Sequence, residues 1–239
     1  MSTEFVKVCA IDDVAVGTAI AGADTVVNLV GILTETPSQK YRAIHVDGAG
    51  RVALAAQRHG VRRLIHISAL GASLMSPAIS DQTKAEGEQA VRAAFPQATI
   101  VRPSLVFGKD DHFFSRFAGM IKSSPVLPLI GGGATKFQPV FIDDLTTGLL
   151  ELLKRPEAAG RNYEFGGTRV YSFRVLLELL LNALDRQCLL IPIPFPLAEI
   201  QAGLLQLLPN PPLTRDQVRL LRTDKVISGT EPTLCDLGV

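Results

Sequence analysis

Thr25-Val26-Val27-Asn28-Leu29-Val30-Gly31 and Arg62-Arg63-Leu64-Ile65-His66-Ile67 are two short, apolar, β-branched runs separated by a helical pattern. Within the separating stretch Tyr41, Ile44, Gly48, Val52 and Ala56 recur every three or four residues, and Gly60 stands where a left-handed glycine ends a helix. A strand, a helix and a second strand in this order form a βαβ unit, whose strands must run parallel because the helix carries the chain back. Neither run alternates apolar with polar residues, so both are expected to be covered on two faces.

The same rhythm continues on either side. Asp12-Asp13 can cap a helix that ends near Gly22. After the loop 69–79, Asp81 to Phe95 reads as a helix and Ala98-Thr99-Ile100-Val101-Arg102 as a strand ended by Pro103. Beyond it the elements become smaller. A helical Phe113 to Ile121, a Gly131-Gly132-Gly133 turn, a strand-like Phe137 to Ile142 and a helix capped by Asp143 follow one another. An apolar helix, Leu197 to Leu208, and a basic one from Thr214 to about Thr223 come last. The expected fold class is α/β: a doubly wound parallel sheet over residues 1–103, then a smaller mixed C-terminal region over 104–239, part of which returns a strand to the sheet.

Composition removes several function classes. With 239 residues, 47% hydrophobic and 20% charged, the chain can bury a core and is too apolar to be disordered. A net charge of +1 gives no electrostatic basis for binding nucleic acid. Cys9, Cys188 and Cys235 form no CxxC or metal spacing, and an odd count argues against a disulfide framework, so a reducing compartment is expected. His66 falls inside a strand with no ligand at metal spacing and reads as a core histidine; His45, His59 and His112 are scattered, and no metal site is expected. There is no secretory signal pattern, and no window approaches about 18 uninterrupted apolar residues. A soluble protein, at most peripheral to a membrane, is expected.

Three blocks fall at strand C-termini, where open parallel sheets bind ligands. They are Val26-Val27-Asn28-Leu29-Val30-Gly31, His66-Ile67-Ser68-Ala69-Leu70-Gly71 and Val101-Arg102-Pro103-Ser104-Leu105-Val106-Phe107-Gly108. Together with Ser80-Asp81-Gln82-Thr83-Lys84-Ala85-Glu86-Gly87-Glu88 they resemble the extended and atypical short-chain dehydrogenase/reductases, the group that holds the NAD-dependent epimerases and dehydratases. Lys136 to Leu145 and Pro212-Leu213-Thr214-Arg215-Asp216-Gln217-Val218 are similar to the NAD(P)-binding accessory subunit of respiratory complex I and its bacterial relatives.

That resemblance implies a Rossmann-like fold binding NADP or NAD, with a role more structural than catalytic. Carried over position by position, it implies cofactor contacts at Asn28, Val30, Gly31, Ser68, Lys84, Pro103 and Ser104, and Ser68 and Lys84 as the residual catalytic candidates. The residues also have plainer readings. Asn28 and Gly31 can close a strand into a turn, Lys84 can be a solvated helix residue, and Pro103 can simply end a strand.

Two departures bear on the implied function. The glycines that make a tight turn and let a helix N-terminus receive the pyrophosphate are absent, since no GxGxxG or GxxGxxG occurs among the 20 glycines. By position Met1 to Cys9 corresponds to a third strand, so the sheet is expected to be N-terminally truncated and the pyrophosphate site to be missing. The second departure is at the proton donor. Reductases of this group place a Tyr four residues before the Lys, on one helix face, where the ammonium lowers the phenol pKa. Position 80 is Ser, a far weaker acid on a shorter side chain.

Near the C-terminus Leu197, Ile200, Leu204, Leu207 and Leu208 share helical spacing, and Arg215, Arg219 and Arg222 follow at i, i+4 and i+7. The stretch 189–225 can seat on complex I subunits or an anionic membrane surface, or it can be the apolar cover of a cleft with solvated arginines beside it. Three functions are therefore carried forward. They are a dinucleotide-linked accessory component, an active NAD(P)-dependent reductase, epimerase or dehydratase on a carbonyl or sugar-nucleotide substrate, and a cofactor-free interaction fragment. The expected location is a bacterial cytoplasm with peripheral attachment at the inner membrane, with the mitochondrial matrix side as the alternative.

Overall fold

The structure is a computed structural model that describes residues 12–109, 111–208 and 211–239. The strand expected between Met1 and Cys9 lies outside those residues. The chain folds as two compact units: the first contains the residues up to Met75 with Ile79–Arg102 and Glu151–Tyr163, and the second Ser76–Ala78, Pro103–Leu150 and Glu164–Val239.

The first described element is α1 (Asp13–Ile20), whose N-cap Asp12 accepts from the Val14 and Ala15 amides through Oδ1. Strand β1 (Thr25–Asn28) follows. The long helix has two parts, a π-helical stretch Arg42–Gly48 that runs directly into α2 (Ala49–Arg58). Then come β2 (Arg63–Ile67), α3 (Ile79–Ala94) and β3 (Thr99–Pro103). Strands β1 and β2 pair in parallel with Thr25 opposite Arg63 and Asn28 opposite His66, and β2 pairs with β3 with Ile65 opposite Thr99. Leu64, Ile65, Ile100 and Val101 are all at most 2% exposed, as expected for strands covered on two faces.

Val16 and Ile20 of α1, Val52, Ala53 and Ala56 of α2, and Val91 of α3 pack into one core with Leu64 and Ile100. Each fully buried Val, Leu or Ile contributes about 1.5–3 kcal/mol. The alanines allow α2 to lie close to the sheet. A bidentate ion pair joins α3 to β3: Arg102 donates through Nε and Nη2 to the two Glu88 oxygens at 2.9 and 2.6 Å.

The second unit contains β4 (Val106–Phe107), α4 (His112–Ser123), β5 (Val126–Ile130), β6 (Lys136–Phe137) and β7 (Val140–Phe141). Helix α5 (Ile142–Lys154) begins one residue before Asp143, so Asp143 and Asp144 occupy its first turn rather than its cap, where carboxylates still favour the helix dipole. Strand β8 (Asn162–Phe165), whose Asn162 and Tyr163 belong to the first unit, completes the sheet order β1-β2-β3-β8. It is followed by β9 (Tyr171–Ser172), α6 (Phe173–Ala183), β10 (Leu189–Ile193), α7 (Phe195–Leu205), α8 (Arg215–Leu220) and α9 (Leu234–Leu237).

In this unit β5 and β10 pair in parallel, and Phe113, Phe117, Phe137 and Phe173 form an aromatic core with centroids 5.0–6.3 Å apart. The glycine triplet is a turn. Gly131, Gly132 and Gly133 have φ of 59°, 68° and 72°, and a Cβ on Gly131 would enter the Phe195 ring.

Candidate functional site

The C-terminal ends of β1 and β2 bring together Asn28, Gly31, His45, His66 and Lys84. Asn28 and His66 are register partners on the two strands, and both are about 4% exposed. The Asn28 carboxamide is oriented by its neighbours. Its Oδ1 accepts from the Val30 amide at 3.1 Å, which turns Nδ2 toward His66 Nδ1, also at 3.1 Å. An amide NH₂ is only a donor, so His66 Nδ1 must be the unprotonated nitrogen and the ring is neutral. Asn28 thus closes the strand into the Val30–Gly31 turn and shapes the loop that carries Gly31. Val30 contributes its amide to this turn, and its side chain is 39% exposed.

His45 comes from the π-helical stretch and is 3% exposed. Its Nε2 accepts from the Ile32 amide at 3.1 Å, so the ring proton is on Nδ1, which donates to Thr83 Oγ1 at 3.0 Å. Thr83 passes its own hydroxyl hydrogen to the carbonyls of Ile79 and Ser80 at 2.9 and 3.1 Å. One neutral imidazole thus ties the loop after β1 to the first turn of α3. Tyr41 packs on the His45 ring at 5.3 Å, and its phenol donates to the Leu33 carbonyl at 3.0 Å.

Lys84 is half-buried on α3, one turn after Ser80. A Cβ placed on Gly31 would lie 3.5 Å from Lys84 Nζ and 3.8 Å from His45 Nε2, so an ammonium and a neutral imidazole flank the exposed Gly31 backbone. Burial, and then the Lys84 charge, hold the His45 pKa down at about 4. The same causes in the same order, with a small addition from His45, hold His66 at about 3. At neutral pH the site therefore holds one cation and two neutral rings.

Close packing of α3 against the π-helical stretch requires Gly87, because a Cβ there would overlap the His45 carbonyl. Ser68 follows β2 and is 3% exposed; its amide donates to the Val101 carbonyl at 2.7 Å. Among the described residues its Oγ has no hydrogen-bond partner, an arrangement that costs about 1–3 kcal/mol unless something else satisfies it.

Pro103 and Ser104 belong to the second unit. The Ser104 hydroxyl is engaged there, donating to the Lys225 carbonyl at 2.6 Å and accepting from the Gln138 amide at 3.2 Å. Its proton is committed to the fold, unlike that of Ser68. The sequence signal missed His45, Thr83 and Gly87, although Thr83 and Gly87 stand in the same block as Lys84.

A profile of the NAD dependent epimerase/dehydratase family matches residues 2–166. The chain belongs to this family. Two curated relatives are the mitochondrial NADH dehydrogenase (ubiquinone) 1 alpha subcomplex subunit 9 of Arabidopsis thaliana and of Mus musculus. The chain is 33% identical to the first over 239 residues, covering 95% of this chain and 60% of that protein. It is 33% identical to the second over 223 residues, covering 92% and 59%. The chain thus spans about three fifths of the length of these relatives. Among solved structures, an epimerase from Methanothermobacter thermautotrophicus matches with a TM-score of 0.67 at 20% identity, over 80% of this chain and 66% of that one. The epimerase/dehydratase fold, Rossmann-like and built on a parallel sheet, is the fold of this chain. Among the described residues no helix is long and apolar enough to cross a membrane.

Proposed function

We propose that this member of the epimerase/dehydratase family is a dinucleotide-linked accessory component of a respiratory complex I-type assembly, acting through structure or assembly and not through turnover. The observation that carries the reading is the chemistry around Lys84. The helix face that presents the ammonium carries Ser80 one turn earlier, and the phenol packed on His45, that of Tyr41, is held by the Leu33 carbonyl. The Ser80 hydroxyl is a far weaker acid than the phenol this arrangement uses in a reductase and sits on a shorter side chain, so it does not replace that proton donor. Likeness to the mitochondrial NADH dehydrogenase subunits gives the reading its partner class.

The residues present fit one end of NADP or NAD. Lys84 beside the exposed Gly31 backbone suits a ribose, and the buried Ser68 hydroxyl, without a partner among the described residues, is a ready donor. The glycine fingerprint for the pyrophosphate is not in these 239 residues. A nicotinamide dinucleotide supplies hydride chemistry when bound; in this reading Lys84 and Ser68 bind and orient it without moving a proton.

The surface that would meet the assembly is α7 with the residues just after it. Leu197, Ile200, Leu204, Leu207 and Leu208 are 52–83% exposed, a concentration of large apolar side chains that ordinarily marks an interaction site. Two of the three arginines of the basic face expected beside it are engaged. Arg219 and Arg222 both pair with Glu199 of α7, and Arg222 lies 4.6 Å over the Phe195 ring. The face offered is therefore apolar more than cationic, which favours a subunit surface over an anionic membrane.

A second reading, an active NAD(P)-dependent reductase, epimerase or dehydratase, rests on the survival of Ser68 and Lys84. Incubating the full chain with NADPH or NADH and a panel of carbonyl and sugar-nucleotide substrates separates the two. The accessory reading expects saturable dinucleotide binding without oxidation. Turnover that disappears in Ser68→Ala or Lys84→Met would replace it with the second reading, and absence of any dinucleotide binding would leave a cofactor-free interaction module.

A further inference from the structure

Apart from the Lys84 site, the second unit holds a cavity of about 270 Å³. Its apolar lining comes from Phe107 of β4, Phe114 of α4, and Leu176 and Leu179 of α6. The aromatic wall is fixed by packing. Phe107 and Phe114 meet edge to face with centroids 6.4 Å apart, and Phe141 rests on Phe107 at 5.5 Å. The polar lining includes Thr168 and Arg169, both exposed. Among the described residues Arg169 makes no ion pair or hydrogen bond, and it is the only charged side chain in the lining. A guanidinium offers five donors and no acceptor, and its fork matches a carboxylate or a phosphate.

We propose that this cavity binds one single-chain amphiphilic anion, with an acyl or alkyl chain among Phe107, Phe114, Leu176 and Leu179 and a carboxylate or phosphate head on Arg169. A space of about 270 Å³ walled by these four apolar side chains suits one short alkyl chain such as an octyl group. The apolar end gains by leaving water, and the charged head meets a cation that has no partner among the described residues.

The test is calorimetric titration of the full chain with octanoate, octyl phosphate and octanol, each below its aggregation threshold. Wild type is compared with Arg169→Ala and Leu179→Trp. Arg169 is exposed and Leu179 is 47% exposed, so neither change empties the core. The expected result is one-site binding of at least one anion, the tighter of the two naming the head group. Binding should weaken roughly tenfold or more in Arg169→Ala and, on wild type, when octanol replaces the anion, as loss of a charged hydrogen bond requires. Leu179→Trp, which fills the cavity, should abolish binding with an unchanged circular-dichroism melt; if it unfolds the chain, Leu179→Gln must weaken binding by a similar factor. The proposal is overturned if neither anion saturates, or if Arg169→Ala binds as wild type does, which would place the amphiphile elsewhere, for example on the apolar face of α7.

Discussion

Replacing Gly87 by alanine tests whether α3 and the π-helical stretch meet as closely as the site requires. In an exposed helix the change would stabilise the chain by roughly 1 kcal/mol through helix propensity. Here the new Cβ would stand 3.0 Å from the His45 carbonyl carbon and closer still to its oxygen. Both are backbone atoms, so no flexible side chain can swing aside, and the two helices must separate. Overpacking of this kind costs typically 1–3 kcal/mol, and a backbone-to-backbone clash belongs at the upper end. The net effect is a loss of about 2 kcal/mol. For a chain of this size that lowers the melting temperature by roughly 4–8 °C. Separation of the helices should also loosen the Ile32 to His45 to Thr83 chain, so the ring should titrate nearer its ordinary value. The assay is a thermal melt followed by circular dichroism together with an imidazole NMR titration of the same variant. A Gly87→Ala chain that melts at or above the wild-type temperature, with His45 unmoved, would refute the reasoning.

Other expectations follow from the same geometry. His45 and His66 have folded pKa values of about 4 and 3 against about 6.5 unfolded, so on acidification the unfolded chain takes up protons first. Stability should be flat above about pH 7 and fall below 6.5, each histidine having removed about 2 kcal/mol by pH 5; an imidazole NMR titration with either midpoint near 6.5 contradicts this. Lys84→Met removes a charge that helps depress both rings, so both midpoints should rise, by less than the full shift because burial is the larger cause; unchanged midpoints would show that the ammonium lies elsewhere. Glu88→Gln should destabilise by roughly 1–3 kcal/mol, because it leaves the Arg102 guanidinium without its carboxylate. The double variant Glu88→Leu, Arg102→Met should be less destabilised than Glu88→Leu alone, as measured by denaturant titration. Leu204→Glu and Leu207→Glu, at 67% and 83% exposure, should leave the melting temperature within about 1 °C and weaken only association with partners.

Much of the parallel sheet could be read from sequence because buried strands leave a local mark. Val26-Val27 and Leu64-Ile65 are apolar at successive positions, and the residues that end each run, Asn28, Ser68 and Pro103, fall at the strand ends as expected. That Lys84 and Ser80 share a face of α3 was legible from their spacing within one block. His45 was not, for a geometric reason. A helix of 3.6 residues per turn does not bury three consecutive residues on one face, yet Ile44, His45 and Val46 are all buried. The wider π-helical turn changes the register just where the ring must point inward, and periodicity counting cannot anticipate that. The bonds of Asn28 were hidden for another reason: a carboxamide that closes a turn and one that meets a ligand look alike in sequence, and its Val30 and His66 partners emerge only in the fold. Arg215, Arg219 and Arg222 show the limit of spacing from another side. It gives one basic face, whereas Glu199 on α7 takes up Arg219 and Arg222 across a gap in sequence that no local pattern records.

The central claim, an accessory place in a respiratory assembly without turnover, is tested most directly by native electrophoresis of gently solubilised membranes from cells expressing the tagged full-length chain. The account predicts that the tag migrates with NADH:ubiquinone oxidoreductase activity, and that Leu204→Glu with Leu207→Glu releases it while the free protein still melts as wild type does. A tag that migrates alone in every preparation, in a protein that oxidises NADPH or NADH with a carbonyl substrate, would contradict it.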